Sequence, residues 1–96
     1  MVEGGANFPN PFNPETWIPF TLNAEADVTI TIFDTRGTVV RTLSLGQVEP
    51  GAYTSSDVAA HWDGRNAIGE PAASGVYVYE IRAGDDTVTR KMLLAK

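Results

Sequence analysis

The chain has no cysteine at all, and this absence already excludes several classes of chemistry. Disulfide bonds, cysteine-ligated zinc, iron–sulfur clusters and thiol catalysis all require that residue. The only histidine, His61, therefore has no cysteine to share a zinc ion with, and we expect no catalytic zinc site.

Positive charge and long apolar runs are also scarce. Seven Lys and Arg residues stand against twelve Asp and Glu residues, and the formal net charge is −5. We expect no nucleic-acid partner, because binding of phosphate backbones needs a clustered positive face. No segment approaches the ~20 apolar residues of a membrane span, so we expect no membrane insertion. The 43% of hydrophobic residues in a 96-residue chain suffice for one small core.

Helical periodicity is absent, whereas alternation of apolar and polar residues is frequent. Residues 27–33 place β-branched side chains on one face, which predicts a strand. A turn at residues 34–37 and an extended segment at residues 38–45 complete a hairpin. Residues 75–83 and 87–94 form a second predicted hairpin, and both hairpins belong to an all-β domain.

Two shorter strands are predicted at residues 17–22 and 59–63. Pro19 lies inside the first, so that strand is expected at a sheet edge or bent at the proline. Six or seven short strands with turn signals between them are typical of an antiparallel β-sandwich. The expected core residues are Trp17, Ile30, Ile32, Leu43, Trp62, Tyr77, Tyr79, Ile81 and Met92.

The beginning of the chain differs from the rest in its composition. Residues 1–6 are glycine-rich, with neither a basic start nor an apolar run, so they resemble a linker more than a signal peptide. The domain is therefore expected to occupy residues 7–96.

A proline-rich segment precedes the first clear strand. Two prolines favour a stiff, extended lead-in, and its aromatic residue is expected to cap the open end of the sandwich. A peptide ligand for an aromatic groove is the alternative interpretation. The residues of this structural motif are Asn10, Pro11, Phe12, Asn13 and Pro14.

A second motif, Trp62-Asp63-Gly64, opens a polar loop. Asp63, Asn66 and Glu70 offer oxygen atoms of the kind that calcium prefers. The spacing lacks the dense acidic pattern of a calcium loop, so we expect a hydrogen-bonded turn, with a metal site as the weaker alternative.

No catalytic constellation is recognisable. The serines lie outside any G-x-S-x-G pattern, and the adjacent Asp85 and Asp86 are typical turn residues. We therefore expect neither enzymatic activity nor a cofactor.

Five motifs in order carry a family resemblance: residues 7–14 with Thr16, residues 28–29 with 33–37, residues 62–65 with Gly69, residues 73–79, and residues 90–94. Together they resemble the FlgD-like immunoglobulin-like domain, and equally the related type A C-terminal sorting domains of the type IX secretion system. The resemblance covers residues 7–96.

This resemblance implies a seven-stranded immunoglobulin-like sandwich, without enzymatic activity, in a secreted or cell-surface bacterial protein. In sorting domains the terminal hairpin and a lysine-containing last strand are read by the secretion machinery. Gly75, Tyr77, Lys91 and Lys96 stand at the corresponding positions. The expected partners are that machinery or neighbouring domains of the parent protein. The alternative function is a structural or adhesive spacer or capping module.

Overall fold

The computed structural model describes all residues, Met1–Lys96, and contains nine strands joined by turns and loops. The strands are β1 (Val2–Gly4), β2 (Thr16–Ile18), β3 (Phe20–Leu22), β4 (Ala26–Phe33), β5 (Val39–Val48), β6 (Gly51–Tyr53), β7 (Ala60–Trp62), β8 (Gly75–Ala83) and β9 (Asp86–Leu94). All pairings between named strands are antiparallel. No helix with the length and hydropathy of a membrane span occurs.

The main sheet has the strand order β5-β4-β8-β9. Its inner face is built by the alternation seen in the sequence: Ile30 pairs with Ile81 and Ile32 pairs with Tyr79, and all four are fully buried. Aromatic and β-branched neighbours across two strands stabilise such a sheet through their side-chain contacts. Both predicted hairpins are confirmed.

Two smaller sheets, β1-β3-β6 and β2-β7, cover the inner face of the main sheet. Pro19 separates β2 from β3, and the two strands pair in different small sheets. The predicted bend at Pro19 is confirmed, because a proline has no N–H to continue a ladder. The predicted all-β sandwich is also confirmed, with more and shorter strands than the sequence indicated.

The core contains 17 buried hydrophobic residues, and Trp62 lies at its centre with no exposed surface. Its ring packs against Phe12 and Tyr77, each with centroids 5.7 Å away. The indole N–H donates to the backbone oxygen of Arg65 at 2.9 Å, so the polar end of this buried side chain is satisfied.

Two residues predicted for the core need correction. Trp17 is only half-buried, because the alternation along β2 turns its neighbours Thr16 and Ile18 inward instead. Its ring stacks on Phe8 at 6.2 Å, outside the core. Leu43 is partly buried at the margin of the core.

The predicted linker at the start of the chain is wrong for part of its length. Val2–Gly4 forms β1, which pairs with β3, and Val2 is only 5% exposed. The small glycine residue Gly4 allows close approach to Val88, since a Cβ at this position would lie 2.7 Å from the Val88 side chain. A partner strand 16 to 20 residues away cannot be recognised from local composition, which is why the glycines suggested a linker.

Candidate functional site

The proline-rich segment closes one end of the sandwich. Phe12 is 2% exposed, and its backbone forms a parallel bridge with the end of β9. The Phe12 N–H donates to the Leu93 carbonyl at 2.9 Å, and the Ala95 N–H donates to the Phe12 carbonyl at 3.0 Å. Because Phe12 is buried in its own domain, the folded chain does not present it as a ligand for an aromatic groove.

Side chains fix the start of this segment. The buried Asn7 amide donates to the Thr16 hydroxyl at 3.0 Å, and that hydroxyl donates to the Pro9 carbonyl at 3.0 Å. Asn10, the first residue of the motif, accepts the Leu93 N–H through its Oδ1 atom at 3.0 Å. Asn13 and Pro14 are exposed, and the Pro14 carbonyl lies against Gly64.

The loop after Trp62 is a hydrogen-bonded turn. The Asp63 carboxylate accepts the Arg65 N–H at 3.0 Å and also lies 3.3 Å from the Arg41 guanidinium. The Asn66 side-chain oxygen accepts the N–H groups of Ile68 and Glu70, at 3.1 and 2.9 Å. The Glu70 carboxylate accepts the Asn66 side-chain N–H at 3.4 Å. The oxygen atoms considered as calcium ligands are therefore used in hydrogen bonds within the loop. No group of three His, Cys, Asp or Glu residues is placed to hold a metal.

Calcium gives a direct test of this loop. A ligand that binds only the native state must raise the melting temperature. Since we expect the loop to bind no calcium, millimolar calcium should leave the melting temperature unchanged. Thermal unfolding with and without calcium is the measurement, with Asp63→Ala as the matched variant. A reproducible rise in the melting temperature that disappears in Asp63→Ala would establish a metal site in the loop.

The histidine and the serines lie apart from one another. His61 points outward from β7, and its Nε2 atom lies 2.7 Å from the Glu15 carboxylate. Ser55 bonds to the Asp57 carboxylate, and Ser74 accepts the Lys96 N–H at 3.1 Å. Each of these groups serves a local contact, and none forms a nucleophile–base pair with another.

The four residues singled out for recognition occupy two different environments. Lys91 and Lys96 are exposed, with Lys91 on the outer face of β9 opposite Val78. Tyr77 is buried at 6% exposure, and its hydroxyl donates to the Ala73 carbonyl at 2.6 Å. Gly75 begins β8 and pairs with Leu94. The lysines can contact a partner directly, whereas Tyr77 holds the start of β8 in place.

Two shallow clefts flank the start of β8. One, of about 240 Å³, lies between the β4–β5 turn and residues 73–77. At its rim Asp34 accepts the Thr38 and Arg36 N–H groups, and the Thr38 bond is the largest influence that lowers the pKa of its carboxyl group. Burial, with a contribution from the Asp34 charge, raises the pKa of Tyr77. The carboxylate thus closes a turn and offers no free base to the cleft.

The other cleft, which we call the β9 groove, has a volume of about 250 Å³. Its lining residues are Asn10, Val76, Lys91, Met92 and Leu93. Val76 and Leu93 pair across the two strands and remain 43% and 39% exposed. Sequence reasoning overlooked both, although apolar residues at outward positions of the two alternating strands were a usable signal.

Comparison with known proteins identifies the fold family. The sequence profile of the FlgD Ig-like domain matches residues 13–87. The chain belongs to this family. Within it, the domain is 36% identical over 84 residues to the basal-body rod modification protein FlgD of Salmonella typhimurium and of Salmonella typhi. That alignment covers 86% of this chain but only 32% of each relative, so the FlgD-like domain spans about a third of their length.

Solved structures show the same fold. FlgD from P. aeruginosa superposes with a TM-score of 0.58 at 28% identity, over 76% of this chain and 54% of that one. Latent PorU from Porphyromonas gingivalis gives a TM-score of 0.67 at 20% identity, over 98% of this chain and 9% of PorU. PorZ is described as a surface component of the type IX secretion system of the same organism. It gives a TM-score of 0.62 at 21% identity, over 95% of this chain and 11% of PorZ. In PorU and PorZ the matching fold is thus a small part of a much larger chain, whereas it makes up about half of the FlgD chain from P. aeruginosa.

Proposed function

We propose that this FlgD-like domain is a non-catalytic sorting or attachment module of an exported bacterial protein, recognised through its terminal strand. We propose a role in recognition and not in catalysis, because the polar side chains described above form the hydrogen bonds of turns and capping contacts. The partners are the secretion or anchoring machinery, or neighbouring domains of the parent protein. The location is the cell surface or the exterior.

The observation that carries the proposal is that β9 buries apolar side chains on one face and exposes a lysine on the other. Met92 and Leu94 enter the core at 2% and 0% exposure, while Lys91 and Lys96 face solvent. Exposed charges contribute little to folding, about 0–1 kcal/mol per pair. A partner could therefore read the exposed lysines while the inner residues keep the domain folded.

The likeness to PorU and PorZ supports this proposal at the level of the fold. Both are large chains in which the matching region is about a tenth of the length, 9% and 11%. One of them is described as a component of a type IX secretion system. A small sandwich of this type is therefore compatible with attachment to a large exported protein.

A structural or capping module is the second candidate, and a specific observation favours it. Two relatives that are 36% identical to this chain are basal-body rod modification proteins. In that role the domain would act as a spacer or interaction surface, and Lys91 and Lys96 would have no special importance.

Surface delivery distinguishes the two candidates. We expect the double variant Lys91→Ala/Lys96→Ala, fused to a reporter, to lose surface delivery in a bacterium with a type IX secretion system. Its free energy of unfolding should stay within about 0.5 kcal/mol of the parent, as is usual for surface changes. Lys96 is substituted and not deleted, because the backbone of residues 95 and 96 bonds to Phe12 and Ser74.

Arg36→Ala is the matched control, since it removes an exposed cation from the β4–β5 turn, where the side chain is 83% exposed. The control should be delivered normally. Normal delivery of the folded lysine double variant would contradict sorting and favour the structural module.

A further inference from the structure

The main sheet has two edges, and the edge at β5 is protected against pairing. Two register shifts interrupt its ladder with β4, between Val28 and Thr29 and between Ile32 and Phe33. Arg41 reaches from this edge strand to Asp63 on the loop after β7, at 3.3 Å. Bulges and inward-directed charges on an edge strand are features that hinder the addition of another strand.

The edge at β9 has no such register shifts. β9 pairs with β8 in unbroken register from Asp86 to Leu94. The N–H and carbonyl groups of Leu93 point away from β8, because they bond to Asn10 and Phe12. In an antiparallel strand these directions alternate, so the backbone groups of Thr87, Thr89 and Lys91 point the same way as those of Leu93.

No hydrogen bond outside the β8–β9 ladder involves Thr87, Thr89 or Lys91. Their backbone groups form an open row, which we call the terminal-strand edge. β1 lies beneath the inner face of β9, where Gly4 approaches Val88 and accepts a bond from Arg90 at 3.2 Å, so it leaves this row uncovered. An open row of this kind is a template for an added strand.

Charge at this edge is opposite to that of the whole chain. Residues 86–96 contain Arg90, Lys91 and Lys96 against one acidic residue, Asp86, a formal charge of +2, whereas the chain as a whole has a net charge of −5. An approaching acidic segment is therefore attracted to β9 and repelled by most of the remaining surface.

The β9 groove lies at the end of the terminal-strand edge and offers about 250 Å³ beside Lys91 and Leu93. Strand addition obtains affinity from backbone hydrogen bonds and specificity from pockets that take alternate side chains. With exposed Val76 and Leu93 in its lining, the groove suits an apolar side chain of the added strand.

We propose that the terminal-strand edge binds an extended, acidic segment of a partner protein by strand addition, with one apolar side chain of that segment in the β9 groove. This inference rests on the proposed function and deepens it, since it names the chemistry of the partner that reads the last strand. The partner's backbone bonds to Thr87, Thr89 and Lys91, and its carboxylates lie beside Lys91 on the outer face and beside Arg90 on the inner face.

A peptide titration tests this binding mode outside the cell. The probe is a seven-residue peptide with glutamate at positions on both faces of the strand and one valine for the β9 groove, and the control peptide has lysine in place of glutamate. We expect the acidic peptide to shift the backbone amide NMR signals of Thr87, Thr89 and Lys91 and to bind at least about tenfold more tightly than the lysine peptide, a difference of about 1.4 kcal/mol.

Matched variants locate the site. Lys91→Glu should weaken binding of the acidic peptide about tenfold, equivalent to about 1.4 kcal/mol, whereas Arg36→Glu makes the same charge change on the β4–β5 turn, outside the terminal-strand edge, and should have a clearly smaller effect. Thr89→Pro removes an outward N–H that β8 does not use, and it should reduce binding in a domain that still folds. Melting curves of each variant verify folding.

Three results would overturn the inference. These are no binding of the acidic peptide, equal binding of the lysine peptide, or amide shifts confined to another surface. Amide shifts at Thr87–Lys91 that depend on protein concentration without peptide would instead assign the edge to a second copy of the chain. Loss of surface delivery together with no peptide binding would leave the sorting function intact and contradict only the strand-addition mode.

Discussion

Trp62→Ala is expected to lower the free energy of unfolding by about 3–5 kcal/mol, the usual loss for a deleted core aromatic. Trp62 has no exposed surface and lies between Phe12 and Tyr77. Its removal would leave a cavity where the proline-rich segment meets the main sheet. In a domain with a stability of about 5–15 kcal/mol, that loss is a large share of the total. Chemical denaturation at equilibrium is the measurement.

The same substitution at the other tryptophan supplies the control. Trp17 is half-buried on the outer face of β2, so Trp17→Ala should cost clearly less than Trp62→Ala. Trp62→Phe keeps much of the ring volume and provides a folded comparison if the alanine variant is too unstable to purify. A loss below about 1 kcal/mol for Trp62→Ala, the range of ordinary surface changes, would contradict its central place in the core.

Gly64→Ala is expected to destabilise the domain by more than about 2 kcal/mol. Gly64 has a φ of +80°, a left-handed conformation that costs a non-glycine residue about 1–2 kcal/mol. In addition, a Cβ at this position would overlap the backbone carbonyl oxygen of Pro14. Backbone cannot move aside as a flexible side chain can, so the overlap adds to the strain. Equilibrium unfolding measures the combined effect.

Gly69→Ala separates the cost of the left-handed conformation from the cost of the overlap with Pro14. Gly69 has a similar φ of +87°, but nothing lies within 4 Å of its added Cβ. Its variant should show only the conformational cost, about 1–2 kcal/mol. Equal losses for Gly64→Ala and Gly69→Ala would show that the approach of Pro14 is unimportant.

The Gly64–Pro14 approach also explains why two separate sequence motifs belong together. Pro14 ends the proline-rich segment, and Gly64 follows Trp62 at the start of the polar loop. The Phe12 ring rests on Trp62 at the same end of the sandwich. Each motif therefore completes the packing of the other, which is a physical reason for their joint occurrence in a FlgD-like domain.

The sequence alone determined the strands of the main sheet and the faces that they bury. Alternation in β4 and β8 identified Ile30, Ile32, Tyr79 and Ile81 as core residues, since successive side chains of a strand point to opposite faces. The order of five motifs was also enough to indicate the family, which the profile match over residues 13–87 confirmed.

Tertiary structure alone decided which short segments became strands and what covered them. β1 exists because β3 pairs with it, and local composition around Gly4 gave no sign of that partner. Trp17 and Trp62 are the same residue type in strands that pair with each other, yet one lies outside and the other in the core. Strands of three residues are too short for alternation to show which side faces the core. Their orientation depends on contacts with distant strands, and the open edge of β9 became visible only when those contacts were known.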